Sequence, residues 1–487
     1  MRTAPRNKKK SKTVRRRRQP KPQHNRTRRA PVPANKRKAK NHVCDGLSFD
    51  ECELSILRMA VEKSEHRTNT RQASAPEIKE IIDIVVDFLK SKNVICYGGT
   101  AINNILPKRD KFYDPATSIP DYDFFSKTAL ADAKELADIY YAKGFVNTEA
   151  KSGVHHGTYK VFVNFVGVAD ITQLDTGIFD SMQKEMITID RIQYAPPNFL
   201  RMSMYLELSR PEGDVDRWEK VLKRLILLNK HYPVANLSCD RVKFQRAFDS
   251  EESRHLDQTM IFETVKNILI REGVVFFGGF ANTLYSHYMP KNLQHQMRSI
   301  ADFDVLSETP VKTVKAVRLG LQMRGVGPIH VEEHEAIGEI IPRHFEVKIG
   351  EESFLYVYEP IGCHSYNLLV KKNQKIKVAT IDTMLSFYLA FLYANKPYYN
   401  AFIQRILCMS NFLFQVQQEN RLAQKGLLKR FSITCYGKQP SINDIREQKM
   451  KKFQELKRQK HNPEYEAWFL NYRPETKAQK QMYKKWI

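Results

Sequence analysis

Two carboxylates, Asp121 and Asp123, stand one residue apart in the apolar run IPDYDFFS at residues 119–126. Acids placed this way repel each other and resist desolvation unless a cation compensates them. In an extended strand, residues i and i+2 share a face. The pair, with Tyr122 turned away, therefore makes a site for a hard cation, Mg²⁺ or Mn²⁺. A third carboxylate on a neighbouring strand would complete a two-metal centre, with ions roughly 3.5–4 Å apart. Asp170, in the apolar run VGVADIT, is the first choice, and Asp175 is the fallback. Upstream, Gly98-Gly99 ends the short apolar run VICYGG just before TAINNIL, which reads as a helix. Glycine lets backbone N–H groups approach a phosphate, and a helix N-terminus adds positive potential. Thr100 adds a hydroxyl there. Arg217 and Lys220 lie on one later helical stretch and would reach a triphosphate, the alternative being ordinary surface charge. A glycine turn for the triphosphate and carboxylates for the metals suit phosphoryl or nucleotidyl transfer.

Those residues need strands and helices to hold them. APEIKEIIDIVVDFLKSKN spaces its apolar residues by three and four, as an amphipathic helix does. VICYGG follows as a strand, KTALADAKELADIYYAKGF as a helix stopped by Gly144, and GTYKVFVNFVGVADITQLD as two strands. PNFLRMSMYLELSRP and DVDRWEKVLKRLILLNKHY read as helices. The second half repeats this order: VVFFGG matches VICYGG, ADFDVLSE matches PDYDFFSK, and IDTMLSFYLAFLYA matches PNFLRMSMYLEL. Six elements in one order predict an internal duplication. The fold class expected is α/β (α+β): two tandem units, each a small mixed sheet with flanking helices, plus helical and basic terminal segments. Expected boundaries are a disordered basic tail at 1–44, a helical segment at 45–75 ending in a polar linker at 66–76, a catalytic unit at 76–250, a degenerate unit at 251–420 and a basic, aromatic-containing segment at 421–487.

Charge separates the ends from the middle. The chain of 487 residues carries a net +25; residues 1–44 hold +18 and residues 421–487 hold +11, leaving −4 between them. Clustered cations point to a polyanion, and nucleic acid is the usual one. In the C-terminal segment Lys and Arg alternate with Trp468, Phe469, Tyr472, Tyr483 and Trp486, which suits a single strand with stacked bases; a packed terminal helix with a wet face is the alternative. No run of eighteen apolar residues predicts a membrane span, and the N-terminus has no apolar signal segment. Seven scattered cysteines without a CxxC pair read as reduced thiols.

The second unit keeps an acid pair, Asp302 and Asp304, but FLYVYEP offers aromatics where VGVADIT has Asp170; Glu359, at the strand end beside Pro360, is the candidate substitute. It is read as degenerate, kept for packing, RNA binding or dimer contact. Tyr356, Tyr358, Tyr398 and Tyr399 read as core, with base stacking as the other use.

YGGTAINN, DYDFFS and VADIT together resemble the nucleotidyltransferase superfamily. MSMYLELSRPEGDVDRWEKVLKRLILLN is similar to the poly(A) polymerase catalytic subunits of large nucleocytoplasmic DNA viruses, those of the mimivirus group in particular and more distantly the poxvirus one. The resemblance spans about residues 76–420. It implies template-independent transfer of AMP from ATP to an RNA 3′ end, with two Mg²⁺ or Mn²⁺ ions held by Asp121, Asp123 and Asp170. It further implies a viral enzyme that works in the host cytoplasm (the viral factory) and is packaged in the virion. A spare unit offers a surface for homodimerisation. Two departures stand out: the superfamily pattern has Gly-Ser where this chain has Gly98-Gly99, and the gap to the acid pair is longer. Another terminal RNA nucleotidyltransferase, a DxD glycosyltransferase and an inactive RNA-binding protein on the same scaffold are the rival readings.

Overall fold

The computed structural model describes residues 44–474, apart from 74, 115, 117–118, 235–237, 247–254, 290, 292–293, 295–296, 298–299, 372 and 421–422. The expected tail at 1–44 therefore lies almost wholly outside the described residues, as do Tyr483 and Trp486. The chain divides into two compact units, Met1–Ser64 and Glu65–Ile487. The first supplies a Cys44–Cys52 pair and the start of the helix Phe49–Ala73, where Ser48 and Glu51 exchange capping hydrogen bonds. That helix runs through most of the stretch read as linker, because nothing in residues 66–73 breaks it.

The second unit contains the duplication, and strand order states it directly. Strands β1 (Ile95–Cys96), β2 (Tyr122–Ser126), β3 (Thr148–Ser152), β4 (Thr158–Val163), β5 (Val166–Gln173), β6 (Ile187–Ile189) and β7 (Ile192–Tyr194) form a sheet ordered β3-β4-β5-β2-β1-β7-β6. Strands β8 (Val275–Phe277), β9 (Phe303–Leu306), β10 (Ile329–His334), β11 (His344–Ile349), β12 (Glu352–Tyr358), β13 (His364–Lys371) and β14 (Gln374–Ala379) form another, ordered β10-β11-β12-β9-β8-β14-β13. The two orders are identical position by position. The parallel pairs also coincide: β2 with β5 and β1 with β7, β9 with β12 and β8 with β14. The expected fold class is observed.

The two strands expected in GTYKVFVNFVGVADITQLD are β4 and β5, but the β6–β7 hairpin escaped the sequence reading for a local reason. It turns on Asp190-Arg191, both at positive φ. Such tight turns usually announce themselves with Asn-Gly or Asp-Gly; Arg191 hides this one.

The copies meet through their equivalent helices, Pro197–Leu208 and Ile381–Phe391. Ile381–Phe391 is buried along its whole length and Pro197–Leu208 along most of it, as helices packed on two sides must be. Phe199 links the copies: its ring lies 5.6 Å from Phe125 in β2 and 5.3 Å from Tyr393 beyond the partner helix. Two further strands come from the C-terminal segment. β15 (Cys435–Tyr436) joins β13 at one edge of the second sheet, and β16 (Asn471–Tyr472) joins β3 at one edge of the first. The folded part of this segment thus straps both sheets. Trp468 packs on His156, Phe469 packs on Phe453 and Tyr465, and Tyr472 donates to Asp138, so these three rings serve packing. Tyr356, Tyr358 and Tyr399 are buried, as core aromatics are.

The cysteine expectation is corrected. Cys239 pairs with Cys408 and Cys363 with Cys435, their Cα atoms 5.6 and 5.3 Å apart, leaving Cys96 as the buried free thiol. Separations of 169 and 72 residues made these pairs invisible in sequence. Among the described residues, no helix is long and apolar enough to cross a membrane.

Because Phe199 is nearly fully buried between the two copies, Phe199→Ala should destabilise the fold by about 3–5 kcal/mol. Urea denaturation followed by tryptophan fluorescence would check this; a loss below about 1 kcal/mol would mean the copies do not rely on this contact.

Candidate active site

Strand register brings the acids together. In the parallel pair β2·β5, Asp123 lies directly beside Asp170. Asp121 precedes β2 and shares the face of Asp123, two residues on. Asp121 is exposed, and Asp123 and Asp170 are half-buried, so the cluster is open to solvent on one side. The fallback acid is committed elsewhere: Asp175 caps the helix Thr176–Gln183, its side chain accepting from Ile178 N–H at 3.1 Å.

The cluster has the electrostatics of an uncompensated cation site. Burial first, then the charges of Asp121 and Asp170, push the Asp123 carboxyl up to about 7. Burial and Asp170 also raise Asp121. Lys160 is Asp170's neighbour across β4·β5 and forms an ion pair with it, yet only partly offsets the repulsion. Carboxylates set side by side by the strand register, with negative charge only partly offset, fit a hard divalent ion. The residues that would hold it are Asp121, Asp123 and Asp170.

The glycine turn fits closely over this cluster. Gly98 has φ +72, and a Cβ there would fall 2.6 Å from an Asp123 carboxylate oxygen. Glycine is thus required twice, by conformation and by space. The turn opens the helix Gly98–Ile105, and Tyr97 N–H donates to the Asp123 carbonyl at 2.9 Å. Thr100 behaves differently from expectation. It is buried, and its hydroxyl donates to the Asp121 carbonyl at 2.7 Å. Its proton fixes the lead into β2 and does not face outward to a phosphate.

Over Gly99 lie groups that sequence reading missed. A Cβ at Gly99 would meet the Tyr113 hydroxyl at 2.7 Å and an Arg224 nitrogen at 2.9 Å. Arg224 donates to Tyr113 at 2.7 Å and covers the Phe112 ring at 5.1 Å. Asn103, from the same AINN stretch, accepts from the N–H groups of Phe112 and Tyr113 and so holds that loop over the turn. Arg224 follows Arg217 by seven residues and Lys220 by four, on the helix Trp218–His231 and its lead-in. The three cations share one side of it. Helical spacing was the signal that would have added Arg224. Arg224, partial burial and Arg217, in that order, pull the Lys220 ammonium below the usual lysine range. Glu207 pairs with Arg217 at 3.4 Å and raises Lys220 only slightly. Of the three, Arg224 lies against the glycine turn, while Arg217 and Lys220 are exposed along the same helix side.

Because Asp123 holds a proton up to about pH 7, a binding cation must displace it. Mn²⁺ affinity, measured by electron paramagnetic resonance on the metal-free protein, should therefore climb as pH rises from 5 towards 7 and level off above. A pH-independent affinity would contradict this assignment of the ligands. Folding of the metal-free protein follows the opposite trend: a raised carboxyl weakens the fold as pH rises from its ordinary 3.8 through about 7.

Comparison with known proteins bears on this same region. Residues 83–214 match the family model described as poly(A) polymerase catalytic subunit. Proteins named as inferred poly(A) polymerase catalytic subunits are similar: one from African swine fever virus is 33% identical over 188 residues, covering 37% of this chain and 39% of the relative. One from Acanthamoeba polyphaga mimivirus is 34% identical over 162 residues, covering 32% of this chain and 27% of the relative. The matched stretch spans about two fifths or less of the length of these relatives. The crystal structure of the Megavirus polyadenylate synthase shares the fold, with TM-score 0.72 over 91% of this chain and 89% of that one, at 22% identity. The stretch that matches the poly(A) polymerase catalytic subunit model is the one that carries the glycine turn, the acid pair and Asp170.

Proposed function

We propose that this chain is a poly(A) polymerase: it adds AMP from ATP to an RNA 3′ end without a template and releases pyrophosphate. The observation that carries the reading is a glycine turn with an acid against one glycine and a cation against the next. Asp123, beside Asp170, lies against Gly98, and Arg224 lies over Gly99, with Arg217 and Lys220 exposed along the same side of its helix. In this reading a nucleoside triphosphate lies with its α-phosphate towards the acids and its β- and γ-phosphates towards Arg224. Backbone N–H groups of the turn support the phosphates. Two divalent ions, Mg²⁺ or Mn²⁺, would supply Lewis-acid charge for the attacking hydroxyl and the leaving oxygen. The protein's part is to orient: β2 and β5 hold the carboxylates on one line, Gly98 brings the turn against Asp123, and Arg224 braced by Tyr113 and Phe112 meets the departing pyrophosphate. Preorganised charge of this kind is the largest lever available for such a transfer.

RNA is the second substrate in this reading, supported by the net charge of +25 and by exposed Arg446, Lys451, Lys457, Arg458 and Lys460 on and after the helix Ile442–Leu456. Work in the host cytoplasm belongs to the same proposal, supported by the viral relatives; packaging in the virion and homodimerisation are proposed with it.

The test is extension of a labelled RNA primer with Mg²⁺ or Mn²⁺ and each nucleoside triphosphate alone. A ladder with ATP is expected. Extension by a different nucleotide would keep the chemistry and change the product, and no extension with any of them would overturn the reading. Arg224→Ala, which removes charge-assisted bonds worth roughly 1.5–3 kcal/mol, should raise the KM for ATP by about tenfold or more while leaving RNA affinity unchanged.

A further inference from the structure

The second copy retains its acid pair but not the surroundings of the first, and the difference can be read residue by residue through the shared register. Asp304 of β9 faces Tyr356 of β12, as Asp123 faces Asp170. Tyr356 faces Glu346 of β11, as Asp170 faces Lys160. The third acid has become a phenol, and the lysine beside it has become an acid that accepts from that phenol at 2.6 Å. Phe280 stands where Thr100 stands. Glu359 does not fill the gap: it lies at the end of β12, facing Arg343 at 3.8 Å.

A cation is nevertheless present. Arg246, from the linker after the first copy, places one guanidinium nitrogen 2.6 Å from Asp302 and the other 3.4 Å from Asp304. Its guanidinium carbon lies 4.4 Å from the Tyr356 ring centre, over the face where a third carboxylate would be. Asp302 and Asp304 are 8% and 6% exposed, whereas Asp121 is open to solvent. Phe244, Tyr388, Tyr398 and Tyr399 close the site, and the space left is about 40 Å³. A nucleotide needs several hundred cubic ångströms.

We propose that Arg246 is the resident counter-ion of Asp302 and Asp304, taking the place that divalent ions would take in the first copy, so that this acid pair holds neither metal nor nucleotide and anchors the inter-copy linker. A planar guanidinium suits this role, since it can engage two carboxylates and an aromatic face at once and keeps its charge when buried. This also explains why two buried acids persist without a third: they have a built-in partner and no need of a metal.

The proposal rests on the first copy being the metal site, and Mn²⁺ stoichiometry measured by electron paramagnetic resonance on the full chain separates the two claims. The double variant Asp121→Asn/Asp123→Asn should lose the bound Mn²⁺; if it does not, the reading of the first copy fails. In that background, adding Arg246→Ala should create a new Mn²⁺ site, and further adding Asp304→Asn should abolish it. Circular dichroism checks that each variant is folded. Arg246→Gln, which keeps donors and drops the charge, serves if Arg246→Ala does not fold. Two results would overturn the proposal: Mn²⁺ bound in the double variant and released by Asp304→Asn, or folded Arg246 variants that gain no Mn²⁺.

Discussion

The parallel register of β2 against β5 is the constraint on which the site depends. It sets Asp123 beside Asp170, and a slip of one residue would turn the third carboxylate to the opposite face. Everything around it preserves that line. Thr100 ties the glycine turn to the Asp121 carbonyl, Tyr97 donates to the Asp123 carbonyl, and buried Phe124 and Phe125 fix the strand between the helices. The same register, repeated in β9 and β12, holds a different set of side chains. One geometry therefore serves two ends: an open carboxylate cluster that Lys160 and Arg217 only partly offset, and a closed one bridged by Arg246.

How the acids are compensated decides what each copy can do. In the first, burial and mutual repulsion leave charge that Lys160 does not cancel, and the energy to hold that arrangement must come from the packed sheet. In the second, the compensation is internal, and the space for a ligand has been filled by aromatic rings. The C-terminal segment then fastens the copies, giving one strand to the outer edge of each sheet. Such a strap limits relative movement of the sheets, which favours a site whose parts must stay within fractions of an ångström.

Much of this was legible in the sequence, and the part that was not has physical causes. The Gly-Gly turn, the acid pair and their repetition were visible because both are local patterns; Asp170 was found because an acid inside an apolar strand is rare. Arg224 was missed although helical spacing from Lys220 and Arg217 pointed to it. Tyr113 and Lys160 had no sequence signal, because a loop crossing and a cross-strand neighbour are tertiary facts. Thr100 looked like a phosphate ligand because a hydroxyl after two glycines is well placed for one, and burial redirected it. Arg246 was out of reach, since no pattern links a linker arginine to acids 56 and 58 residues away. The cysteine pairs were hidden in the same way, and packing, not composition, placed Trp468, Phe469 and Tyr472.

The central claim is that one acid cluster performs the transfer and its duplicate does not. The most direct measurement is the rate of RNA extension per folded molecule for Asp123→Asn and Asp304→Asn side by side, each removing one charge from equivalent positions. Loss of roughly a thousandfold or more in Asp123→Asn, with a near-native rate in Asp304→Asn, is the expected result. Near-native extension by Asp123→Asn, or an equal loss in both, would contradict it.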